Sequence, residues 1–301
     1  MWLLLLPDTV FDLFDSRAPA PAGGRAAGAA IFLYAFAYAH AARRIDGARP
    51  WVAIGLAAKL LGAAAWFHFV RSGSWHVRTF PLVVFHCLVW WLPFVLLLLD
   101  PTRLGARLRA LAPRACAALN AAGALAMPLV LRHGLESTSD PAARADFVQG
   151  HLFLWRAGWA IWMCAGLALV AFFAWWGARI AEPRWAVLAL AVSSAGLACD
   201  LTAESLLMTW FPERMGSLER AVGLLTGGLA NGLYTVAGIL LTLRTRSLRG
   251  PRLLWTWGVW IAGGFLTGST LAGSVPATVA STAALMTLFC PWVWFVGRKI
   301  A

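Results

Sequence analysis

Apolar residues dominate this chain in runs about as long as a bilayer is thick, and polar residues gather in the short gaps between them. A helix needs about 20 apolar residues to cross the hydrocarbon. The runs therefore predict nine spans, near residues 26–43, 51–70, 80–99, 115–131, 152–178, 185–208, 221–243, 253–272 and 276–297. The last two are joined by GGFLTGSTLAGSVPATVAST, rich in Gly, Ser and Thr. That segment reads either as a tight turn between two helices or as one broken helix, which would leave eight spans. The expected fold class is all-α: a polytopic helical membrane protein in which residues 26–301 form a single transmembrane domain. The start, MWLLLLPDTVFDLFDS, has no basic flank and is broken by Pro7 and Asp8, unlike a signal peptide. Residues 1–25 are expected to form an interfacial segment, with Val10, Phe11 and Phe14 among the headgroups, followed by the linker RAPAPAGGR.

Composition strengthens the membrane assignment. With 60% hydrophobic and 13% charged residues and a mean hydropathy of +0.71, a soluble fold of this size would expose too much apolar surface. Several of the 18 Trp flank the runs, among them Trp51, Trp75, Trp155, Trp185, Trp210, Trp255 and Trp292, as interfacial Trp do. The gaps after alternate spans hold Arg43, Arg44, Arg49, Arg103, Arg107, Arg109, Arg114, Arg179, Arg184, Arg244, Arg246, Arg249 and Arg252, and the C-terminus adds Arg298 and Lys299. Only Asp46, Asp100 and Glu182 oppose them. On the other side Arg and acidic residues balance, so the net charge of +12 falls on one face. The positive-inside rule then places the N-terminus outside and the C-terminus in the cytoplasm, in an inner (plasma) membrane. Membrane lipids are the expected surroundings. The charge belongs to topology, so nucleic acid is not an expected partner.

Four charged residues remain inside the spans: Lys59, Arg156, Asp200 and Glu204. Their charges cancel, which suggests mutual compensation. Asp200 and Glu204 lie in WAVLALAVSSAGLACDLTAESLLM, where a carboxylate costs several kcal/mol unless paired, neutralised or hydrated. At about 1.5 Å per residue, His68, His86, Arg156, Asp200 and Glu204 are expected in one layer of the outer leaflet, with Thr226 at the same level and Lys59 deeper. Asn231 and Tyr234 extend a polar path along the same span as Thr226. The five Cys show no CxxC spacing and read as small apolar residues, and no nucleotide-binding, HExxH or GxSxG pattern is present. The pairs Gly223/Gly227, Gly228/Gly232 and Gly264/Gly268 are expected at close helix contacts.

Three functional readings follow. The first is a membrane-embedded enzyme on a lipid or other amphiphilic substrate, with Asp200, Glu204 and Arg156 as the catalytic set. Asp200 and Glu204 would supply acid/base groups and Arg156 would clamp a head group. With His68 and His86 the carboxylates would form a ligand set for a divalent metal, zinc or iron. The second is a proton-coupled transporter or channel that uses the same carboxylates as a relay. The third is a haem-binding or structural subunit, in which His68 and His86 hold one b-type haem or the whole network is scaffold.

Overall fold

The computed structural model describes Ala29 and residues 49–99, 103–138 and 140–300. The interfacial segment 1–25 and, apart from Ala29, the predicted span 26–43 lie outside the described residues. All regular structure among the described residues is helical. Seven helices are long and apolar enough to cross a membrane: Arg49–Arg71, Val77–Leu99, Arg109–Gly134, Leu152–Gly177, Pro183–Thr209, Leu218–Arg244 and Val275–Phe295. The helix Pro251–Leu271, 21 residues long, is outside these seven because Trp, Gly, Ser and Thr dilute its apolar run. It packs along Val275–Phe295. Between them Gly273 takes φ 72°, a backbone that suits glycine, and Pro276 opens the next helix. The Gly/Ser/Thr segment is thus a tight turn between two helices.

The chain divides into two compact units, Met1–Leu108 and Arg109–Ala301. In the first, α1 (Arg49–Arg71) and α2 (Val77–Leu99) form a hairpin. It is fastened by Trp66 Nε1 donating to Thr79 Oγ1 at 2.7 Å and by an apolar contact of Val52 with Phe94. α2 carries a π-helical segment, Val84–Leu88, before Pro93.

The second unit holds α3 (Arg109–Gly134), the short α4 (Pro141–Gly150), α5 (Leu152–Gly177) and α6 (Pro183–Thr209). It continues with α7 (Phe211–Gly223), α8 (Asn231–Arg244), α9 (Pro251–Leu271) and α10 (Val275–Phe295). A π-helical segment, Leu224–Ala230, joins α7 to α8. α6 is central and packs on α5 and α8, while α9 packs on α8 and α10.

Helices have little hydrophobic reason to associate once lipid is the solvent, so polar contacts and close packing do that work. Toward the arginine-rich end, three indole N–H groups reach threonines on neighbouring helices or at their ends: Trp176 to Thr245 and Trp260 to Thr242, both at 2.8 Å, and Trp292 to Thr256 at 2.9 Å. Each threonine hydroxyl also donates to a carbonyl four residues back in its own helix, so no donor is stranded. Phe172 and Phe173 fill the space around these indoles. Gly238 makes room for Trp260, since a Cβ there would lie 2.4 Å from the indole.

The expected glycine contacts are met in part. Gly227 sits tightly against Thr270, and Gly228 and Gly232 touch Leu271 and Thr267 at ordinary distances. Gly223, Gly264 and Gly268 have nothing within 4 Å of a Cβ position. Spacing places these residues along their helices, but rotation turns Gly264 and Gly268 away from the described neighbours.

Candidate functional site

Asp200 and Glu204 lie one turn apart on α6 and line a cavity of about 230 Å³. α3, α5, α8, α9 and α10 complete its wall through Asn120, Trp162, Tyr234, Trp260 and Met286. Glu204 is 2% exposed, and its Oε2 has no hydrogen-bond partner. Asp200 Oδ2 accepts from Tyr234 Oη at 3.3 Å. Gly166 on α5 leaves space for that contact, because a Cβ there would lie 3.3 Å from the Asp200 oxygen and 3.5 Å from the phenol.

Two indole N–H donors on the same wall, from Trp159 and Trp162, are buried and without a partner among the described residues. A buried donor or acceptor left unpaired costs about 1–3 kcal/mol. One cavity therefore holds an acceptor, Glu204 Oε2, and two indole donors that the described residues leave unsatisfied. Thr226 and Asn231 also line it, as the polar path along the predicted seventh span requires. Asn231 is fixed by donating to Gly263 O at 2.7 Å and Thr267 Oγ1 at 2.9 Å. The π-helical segment Leu224–Ala230 brings Thr226 and Gly227 to the wall, and such bulges often occur at working sites.

A second cavity, about 430 Å³, adjoins the first. Met127, Trp159, Thr226, Thr278, Thr282 and Met286 line both. It runs to a charged rim of Glu136, Arg144 and Glu219. Arg144, 5% exposed, is ion-paired with Glu219 and donates to Gly134 O at 3.4 Å. Partial burial, and after it the Glu219 charge, holds the Glu136 carboxyl above the usual carboxylate range, with Arg144 pulling the other way. α4 is set for this role by Asp140, which caps it through Ala142 N at 2.9 Å.

Arg156 departs from expectation. It forms no ion pair with Asp200 or Glu204 among the described residues; its Nε donates to Met208 O at 3.1 Å. Beside it Trp155 Nε1 donates to Leu207 O at 2.7 Å. Both close carbonyls that the last turn of α6 leaves open, and a cation at a helix C-terminus also meets the helix dipole favourably. The long Arg156 side chain runs to the end of α6 and not to the carboxyls.

His68 and His86 belong to the first unit. Lys59 Nζ lies 3.5 Å from His86 Nε2, and Lys59 precedes His68 by nine residues on α1, a rise of about 13 Å. The hairpin thus pairs His86 with Lys59, at a different level from His68, and does not bring the two histidines together as axial partners. Among the described residues no group of three or more His, Cys, Asp or Glu is placed to share a metal ion. The cysteines Cys87, Cys116, Cys164, Cys199 and Cys290 are free thiols.

No protein family, curated protein or solved structure matches the chain.

Proposed function

We propose that this chain is a proton-coupled carrier of the inner membrane, in which Asp200 and Glu204 exchange a proton for a bound solute. The observation that supports this most is that the two carboxyl groups have no cationic partner among the described residues. Glu204 is buried with an oxygen unpartnered, and no cationic side chain pairs with either acid among the described residues. A carboxylate stripped of water is costly until it gains a proton, a cation or a water. A pair in one cavity therefore has reason to trade one for another. Tyr234, Asn231 and Thr226 offer hydroxyl and amide groups for a relay beside it.

The adjoining cavity leads toward Glu136, Arg144 and Glu219, at the outer face in the orientation set by the arginine-rich loops. That orientation has nine spans, the N-terminus outside and the C-terminus in the cytoplasm. The enzyme reading depended on Arg156 as a head-group clamp beside the carboxyls. With Arg156 committed to the end of α6, an anionic head group at Asp200 and Glu204 would meet two acids and, among the described residues, no cation paired with them, which favours the carrier.

The test is reconstitution into vesicles loaded with a pH-sensitive dye. Under an imposed solute gradient, proton movement is expected with the parent protein and lost with Glu204→Gln. Chemical conversion of an added amphiphile, with no movement of any solute or proton, would contradict the proposal and restore the enzyme reading.

A further inference from the structure

We infer that the solute is a small organic ammonium ion with an apolar body, its charge against Asp200 and Glu204 and its body against the aromatic wall. The inference rests on the carrier reading and adds the ligand's chemistry.

Charge comes first. Two acids face the cavity with no cationic partner among the described residues, and Glu204 is buried with a free acceptor. A positively charged guest removes that cost, whereas an anion would add to it. The wall then separates organic from inorganic cations. A bare calcium ion takes six to eight oxygens and magnesium a near-ideal octahedron. Here the two carboxyls stand among Trp159, Trp162, Tyr234 and Trp260, and no third His, Cys, Asp or Glu joins them among the described residues. Ring faces attract a cation that has shed its water, and an alkylammonium sheds water more readily than a small metal ion.

Size comes next. At about 230 Å³ the inner cavity falls below the roughly 300–1,000 Å³ typical of drug-sized ligands, so it suits a compact amine. The adjoining cavity, whose wall includes Trp155, Phe211 and Val222, gives an apolar body further room toward the outer end. The unpartnered indole N–H groups of Trp159 and Trp162 can donate to an oxygen or a π-system on that body.

The probe is phenethylammonium, compared with phenethyl alcohol, which has the same shape without the charge, and with phenylacetate, which reverses it. Binding to the purified full chain in detergent is measured by calorimetry. The amine is expected to bind roughly tenfold or more tightly than the alcohol, and phenylacetate not at all. Glu204→Gln should lower amine affinity by about tenfold or more, and Glu204→Asp should retain most of it. Equal binding of amine and alcohol by the parent protein, or no amine binding, overturns the inference without depending on any variant. Unchanged amine affinity in a folded Glu204→Gln protein overturns it as well. These failures leave the carrier reading intact if another solute drives Glu204-dependent proton movement in vesicles. Amine binding without such movement for any solute overturns the carrier reading alone.

Discussion

Asp200 and Glu204 are four residues apart, so they share a helix face, where like charges repel. The protein keeps them together without a cationic partner among the described residues, and this has a measurable consequence. If Arg156 balanced Glu204, neutralising the acid would strand a buried cation at about 3–5 kcal/mol, and removing both would restore stability. Arg156 instead serves the Met208 carbonyl. Glu204→Gln is therefore expected to hold or raise the melting temperature, and Glu204→Gln with Arg156→Met to be additive within about 0.3–0.5 kcal/mol. A thermal melt of Glu204→Gln, Arg156→Met and the double variant in detergent checks this, and a rescue of stability in the double variant would show the two charges to be coupled. The acids were legible in the sequence because a charge inside an apolar run needs a reason. Their setting was not. The Tyr234 hydroxyl, the space left by Gly166 and the unpaired indoles of Trp159 and Trp162 depend on how α5, α6 and α8 are rotated, and a single chain's periodicity does not carry that rotation.

The elements owe their association to a few tight points. Gly238 admits Trp260, whose indole bonds Thr242 on the same helix as that glycine. Gly238→Ala should cost about 1–3 kcal/mol through overpacking, since a Cβ would fall 2.4 Å from the ring. Gly268→Ala, with nothing within 4 Å, should stay within about 0.5 kcal/mol of the parent. Equal melting temperatures for the two variants would refute this packing. Helix existence was readable for most of the described spans because long apolar runs leave few alternatives, whereas the sequence around Gly273 fits a tight turn or a broken helix, and the packing of α9 along α10 decides for the turn. The π-helical segment Leu224–Ala230 was not readable, since LLTGGLA carries no local motif that sets an extra residue per turn; within it Gly227 lies close against Thr270.

At the scale of the whole molecule, charge asymmetry and the cavity make separate claims. The orientation predicts that a single cysteine introduced into 244–252 of a cysteine-free protein is shielded from an impermeant reagent in intact cells. One at 137–145 should label, and the reverse pattern would turn the cavity's mouth toward the cytoplasm. The Arg144–Glu219 pair at that mouth joins residues 75 apart in sequence, so neither depth nor charge counting could foresee it. Its neighbour Glu136 binds a proton more tightly in the folded state than in the unfolded chain. Its contribution is therefore full below the ordinary carboxylate value and declines as pH rises through the raised one. Melting temperatures across that window should fall more steeply for the parent than for Glu136→Gln; parallel curves would show that the rim does not hold this proton. The central claim, that Asp200 and Glu204 change protonation as the carrier works, is tested most directly by infrared difference spectroscopy of the protein in lipid through a pH titration and on solute binding. The account predicts a carboxyl band that gains and loses a proton in both experiments, altered by Asp200→Asn and absent in Glu204→Gln. A band that keeps one protonation state throughout, or one that is unchanged in both variants, would contradict it.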